Sequence, residues 1–257
     1  MTFRLQPSES SDTEYLAPLN EHSAFPGPWI GGVSLILGPL LILTGALLRI
    51  QFHFFFPQQL AAFENHPALI TAAYSLYSLG NVILCFGILF LVAVIGKWNR
   101  VWANWAGVLV LTGLFTRTFH AGIDHMAFQL VNVQNLELAT KAVSDSYRAF
   151  HVFRYLNGYI MLGWICIAIA SYRSRTLSLF KAIALGMMVM VPFGTLKGTE
   201  IRAVGILGLC IALVPFGFRV LRQAPPLSRR AKIWVAIFIV VELIFIPLSI
   251  IYPALMN

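Results

Sequence analysis

Charge is what this sequence has least of. Only 11% of its 257 residues are Asp, Glu, Lys or Arg, whereas a soluble globular domain carries about 25%. Too few charges exist to cover a water-facing surface, so an ordinary soluble domain is excluded. Cysteine is limited to Cys85, Cys166 and Cys210, each inside an apolar run. No CxxC pair or disulfide framework can be drawn from them, and they read as packing residues. The chain also lacks the basic-then-apolar order of a signal peptide. It begins "MTFRLQPSESSDTEYLAPLNEHSAFPGPW", which is polar and acidic, so residues 1–28 are expected to be a retained cytoplasmic tail. No internal repeat, low-complexity tract or interdomain linker follows, and residues 29–257 are expected to form a single transmembrane domain.

What the chain does contain is apolar: 58% of residues are hydrophobic and 13% aromatic, with a mean hydropathy of +0.78. A bilayer span needs about 20 predominantly apolar residues. Seven segments qualify, at about 29–50, 68–96, 102–130, 148–171, 178–196, 201–221 and 232–254. The predicted fold is therefore an all-α, polytopic membrane bundle of seven helices. The fifth segment, "SLFKAIALGMMVMVPFGTLKG", is short and interrupted by Pro192 and Gly194, so six spans with a re-entrant fifth run is the alternative. Pro39, Pro192, Pro215 and Pro247 predict kinks rather than breaks, because neighbouring helices can re-satisfy the freed backbone.

The formal charge of +8 suggests nucleic acid at first sight. A nucleic-acid binder, however, gathers its basic residues on a solvated surface, and here they sit in short gaps between apolar runs. Membrane topology accounts for them better. Eleven of the eighteen, including Lys97, Arg100, Arg173, Arg175, Lys181, Arg219 and Arg222, fall in alternate gaps or the N-terminal tail. Cytoplasmic loops carry the basic excess, which predicts a cytoplasmic N-terminus and an external C-terminus. Trp98, Trp102, Trp105 and Trp234 lie on the cytoplasmic side, where aromatic rings favour the interface.

Polar residues concentrate at the opposite, outer end. The stretch "LFTRTFHAGIDHMAFQLV" places Arg117, His120 and Asp124 at spacings of three and four, on one helical face, with His125 turned away. The stretch "YRAFHVFRYLNGY" opens the next helix with Arg148, His151, Arg154 and Tyr155. Two helices joined by a short outer loop are usually antiparallel neighbours, so the two stripes are expected to meet. Glu242 sits about ten residues into the last span. Ionisable groups at that depth are expensive and need partners, and Arg117 and Arg154 are the nearest cations in depth.

These residues predict a polar pocket in the outer-leaflet half for a small amphipathic or lipid-like molecule. His120, Asp124, His151 and Glu242 are the candidate catalytic groups, and Arg117, Arg154, Tyr155 and Arg148 the candidate ligand-binding groups. Its tail is expected among Phe115, Phe119, Phe128, Phe150 and Phe153. A metal-hydrolase version places zinc on His120, Asp124 and His151 with an open fourth position, and a haem version uses His120 and His151. Two further classes fit the composition: a non-enzymatic resistance, immunity or accessory subunit, and a proton-coupled transporter relaying through Glu242. Transport is disfavoured by the lack of repeat symmetry. A retinal protein is disfavoured because the last span holds no lysine beyond Lys232 at its edge.

Overall fold

The computed structural model describes residues 25–53, 56–146, 152–191 and 199–251. Among the described residues the ordered elements are helical and no strand occurs. The chain divides into two compact units, Met1–Gln223 and Ala224–Asn257, each described by itself.

The first unit holds eight α-helices among its described residues. They are α1 (Gly27–Leu48), α2 (Gln58–Asn65), α3 (Pro67–Gly96), α4 (Arg100–Val133), α5 (Leu136–Ser146), α6 (Phe153–Arg173), α7 (Leu179–Gly186), extended by a 3-10 turn at Met187–Val189, and α8 (Thr199–Gln223). Four described helices are long and apolar enough to cross a membrane: Gly27–Leu48, Pro67–Gly96, Arg100–Val133 and Arg202–Gln223. The apolar stretches Gly158–Arg173 and Leu179–Val189 are shorter. Helices α1 and α8 continue through Pro39 and Pro215, as expected where the surrounding helices hold them. Residues 1–24 and Pro192 lie outside the described residues.

Local signals explain the boundaries. Proline occupies the first turn of α1 and of α3, where its missing N–H is no loss. Asn99 caps α4 by accepting from the Trp102 backbone N–H at 3.0 Å, the usual role of asparagine at that position.

Six of the helices close a ring: α3 packs on α1, α1 on α8, α8 on α7, α7 on α6, α6 on α4, and α4 back on α3. Its interior is apolar, with Leu35, Ile42, Leu84, Ile88, Leu91, Trp164, Ile167, Ile206 and Leu213 buried. Its outer surface is apolar too, exposing Leu37, Val108, Phe115, Leu162, Ile165, Leu207 and Phe218. Water-driven burial does not distinguish the two faces of such a helix in lipid, and close backbone packing through small residues takes over. Along α1 and α3 this is direct. A Cβ added at Gly80 would stand 2.8 Å from both the Ile42 nitrogen and the Gly38 oxygen, and one at Gly38 would stand 3.0 Å from the Leu84 backbone. On α6, a Cβ at Gly163 would come within 2.7 Å of the Val110 nitrogen on α4.

Helix α4 has 34 residues, roughly 50 Å at 1.5 Å per residue, against a hydrocarbon core of about 30 Å. The apolar segment predicted at 102–130 accounts for most of this helix. In the structure the helix runs about two and a half turns beyond Asp124. That extension has its own small core, in which Leu60, Phe63, Ile70, Ala127, Phe128, Val131 and Ala139 are buried. The short helices α2 and α5 thus cap one end of the bundle, with the Phe63 and Phe128 rings stacked at 4.7 Å.

The second unit contributes α9 (Arg229–Ile251). Ser228 opens it by accepting from the Ala231 backbone N–H at 3.2 Å. Arg229, Arg230 and Lys232 crowd its first turn, followed by an apolar run.

Candidate functional site

Beneath the α2 cap, the ends of four helices bring charged groups together. Arg49 closes α1 and Arg202 lies in the first turn of α8. Both are almost completely buried, at 4% and 3% exposure. An arginine so enclosed must be met by other polar or π groups, and α3 supplies them. The Arg49 guanidinium carbon lies 4.2 Å from the Tyr74 ring centroid and 5.1 Å from that of Tyr77. The Arg202 guanidinium carbon lies 4.6 Å from the Tyr77 ring. Cations over aromatic faces gain most when desolvated. Tyr74 and Tyr77 are three residues apart on one face of α3, and Asn81, one turn further, is buried with its amide donating to the Tyr77 carbonyl at 2.7 Å.

The third cation is Arg117 of α4, within electrostatic reach of Tyr77, Arg202 and Asp124. Asp124 interacts electrostatically with Arg49, Arg202 and Arg117 alike. It also accepts from Gln59 Nε2 at 3.1 Å, while the Tyr74 hydroxyl donates to Gln59 Oε1 at 2.9 Å. A hydrogen-bonded chain therefore runs Tyr74, Gln59, Asp124, joining α3, α2 and α4. Asp124, whose direct described partner is Gln59, is within electrostatic reach of all three guanidinium groups.

The predicted stripe on α4 is thus placed in part as expected. Arg117 and Asp124 enter the cluster, His120 is half-buried beside it with its ring 5.9 Å from that of Phe119, and His125 is exposed. Arg148 and His151 lie outside the described residues, as do the side chains of Arg154 and Glu242. Tyr155 is 67% exposed. Among the described residues no three His, Cys, Asp or Glu side chains stand close enough to hold a metal ion; the third expected ligand, His151, is outside that set. The expected aromatic lining is divided. Phe119 stacks on Phe153 at 4.0 Å, Phe115 is exposed, and Phe128 is enclosed in the small core under the cap.

Arg49, Gln59, Tyr74, Tyr77 and Arg202 were not singled out from sequence as site residues. Arg202 carried a usable signal. A cation in the first turn of a helix opposes the macrodipole, so an arginine buried there implies strong local partners. Gln59 carried none, since its role depends on α2 folding back over the bundle.

Fold and site together describe a helical protein with four helices long and apolar enough to cross a membrane, and a buried arginine and tyrosine centre at one end of its bundle. No protein-family model, curated protein or solved structure matches the chain.

Proposed function

We propose that the chain is a seven-span membrane protein, N-terminus cytoplasmic and C-terminus external, whose outer-end centre receives the anionic head group of a small amphipathic or lipid-like molecule. One observation carries this reading: Arg49 and Arg202, from two different helices, stand over the rings of Tyr74 and Tyr77, with Arg117 of a third helix and the carboxylate of Asp124 within electrostatic reach. Gathering three cations in a low-dielectric setting is unfavourable by itself, and a bound anion offsets that repulsion. Arginine suits the task because its planar fork matches carboxylates and phosphates. His120, one turn from both Arg117 and Asp124, stands where it would move a proton to or from the bound head group.

A second reading, a non-enzymatic accessory subunit, is favoured by one specific feature. The Tyr74, Gln59 and Asp124 chain with the arginine stacks ties α1, α2, α3 and α4 together, as a purely structural lock would.

Organic extraction of the purified protein followed by mass spectrometry separates the two. The binding reading expects one anionic amphiphile to be enriched with the native chain and lost from an Arg117→Gln variant that remains folded. Absence of any such molecule from well-folded native protein, after purification in mild detergent, would sink it in favour of the structural lock.

A further inference from the structure

The end of the bundle away from the arginine and tyrosine centre is hollow where α6, α7 and α8 meet. One pocket, about 300 Å³, is lined by the polar side chains of Tyr172, Arg175, Thr176, Ser178, Lys181 and Arg219 together with the apolar Leu177 and Phe216. A second, about 600 Å³, is walled by Lys181, Val214, Pro215, Phe218, Arg219, Arg222 and Gln223. Lys181 and Arg219 line both, so a basic partition is shared between a pocket of mixed lining that carries hydroxyl groups and a more apolar groove.

The two halves differ in chemistry. The pocket offers cations with hydroxyl donors beside them, and no carboxylate is among the described residues lining either space. Arg175, which reaches it from the turn between α6 and α7, is held at φ 58°, a conformation that opposes an L side chain. The groove instead presents Val214, Pro215 and Phe218, with Phe218 half exposed on the apolar outer surface of α8. Gln223 Oε1 is buried on the groove wall without a hydrogen-bond donor among the described residues. A buried acceptor of that kind is costly until a donor meets it.

We propose that this recess binds one anionic phospholipid: its phosphate on Lys181, Arg219 and Arg175, a head-group hydroxyl on Gln223, and an acyl chain along Val214, Pro215 and Phe218. Basic pockets between membrane helices recognise phosphate head groups by the same combination of charge and donor geometry. The adjoining apolar groove selects a lipid over a free phosphate, which has nothing to place there. The recess uses none of the outer-end residues, so the two sites stand or fall separately.

The test titrates the full chain in neutral detergent with short-chain phosphatidylglycerol, short-chain phosphatidylcholine and inorganic phosphate, reading affinity by calorimetry. Saturable binding of about one phosphatidylglycerol is expected, roughly tenfold or more tighter than either other ligand. Lys181→Gln with Arg219→Gln should weaken it by roughly tenfold or more. Lys97→Gln with Arg100→Gln, which removes equal charge from the same end without touching the recess, should leave it unchanged. Phosphate binding as tightly as phosphatidylglycerol overturns the lipid assignment in favour of a free-anion site. Equal losses in both charge pairs overturn it in favour of diffuse surface attraction. Should the Lys181 and Arg219 pair prevent folding, Arg222→Gln on the exposed wall is expected to weaken phosphatidylglycerol alone, and the comparison of the three ligands on the native chain decides independently.

Discussion

The Arg49 guanidinium carbon stands 4.2 Å from the centroid of the Tyr74 ring, and the hydroxyl of that same ring donates to Gln59. One side chain thus serves a cation with its face and an amide with its edge. Phenylalanine keeps the face but removes the hydroxyl, which is hydrogen-bonded with Arg49 as well as with Gln59, and leucine keeps neither face nor hydroxyl.

Tyr74→Phe is expected to lose about 1 to 3 kcal/mol of stability, the net value of the two hydrogen bonds that its hydroxyl makes with Gln59 and Arg49. Tyr74→Leu should lose roughly 1 to 2 kcal/mol more, because a desolvated guanidinium then faces no π surface. Denaturant unfolding in detergent micelles should rank the three proteins Tyr, Phe, Leu. Equal stability of the Phe and Leu variants means the face contact contributes nothing.

Asp124 is the shared carboxylate of Arg49, Arg117 and Arg202. Asp124→Asn keeps the shape and removes the charge, and should destabilise the protein by about 1 to 2 kcal/mol, since its direct partner is the Gln59 amide and the arginines act on it at longer range. Adding Arg117→Gln should restore part of that loss. A double-mutant cycle that comes out additive shows no coupling between the two.

Glycine substitutions should divide by what faces them. At Gly80 a Cβ meets the backbone of α1, so Gly80→Ala should lower stability by roughly 1 to 3 kcal/mol through overpacking. At Gly122, inside α4, nothing lies within 4 Å of the added carbon. Gly122→Ala should therefore raise stability by up to about 1 kcal/mol, through helix propensity alone. Melting temperatures of the two variants should shift in opposite directions.

For the topology, reporter fusions after Gln223 and at Asn257 should report cytoplasmic and external positions respectively. A cytoplasmic signal at Asn257 removes one span from the proposed seven, and the short segment around α7 becomes the candidate for re-entry.

The positions of the long helices along the chain were legible in the sequence, and neighbourhood across helices was not. The apolar runs located α1, α3, α4 and α8 within a few residues, and the spacing of Arg117, His120 and Asp124 on α4 correctly put them on one face. Depth alone then paired Arg117 with Arg154 and Glu242. The side chains of Arg154 and Glu242 lie outside the described residues, and among the described ones Arg117 is within electrostatic reach of Tyr77, Arg202 and Asp124, partners that hydropathy did not point to because α8 lies beside α1 rather than following its order in the chain. Residues at equal depth on different helices are indistinguishable by hydropathy, which carries no information on which helix stands next to which. The small-residue contacts that do set those neighbours, such as Gly80 against Ile42, depend on one surface matching another, and a single sequence shows only one side of each match.

The closed ring of helices also sets a timetable for synthesis. Helix α1 finds its partner α3 soon after it emerges, but its other flank is completed by α8, which begins about 150 residues after α1 ends. At a ribosomal rate of about 5 to 20 residues per second, that flank waits roughly eight to thirty seconds. Throughout that interval Arg49 is already made while Arg202 and its shared ring contact with Tyr77 are incomplete, so a half-built bundle carries a cation whose final surroundings arrive only with the last member of the ring.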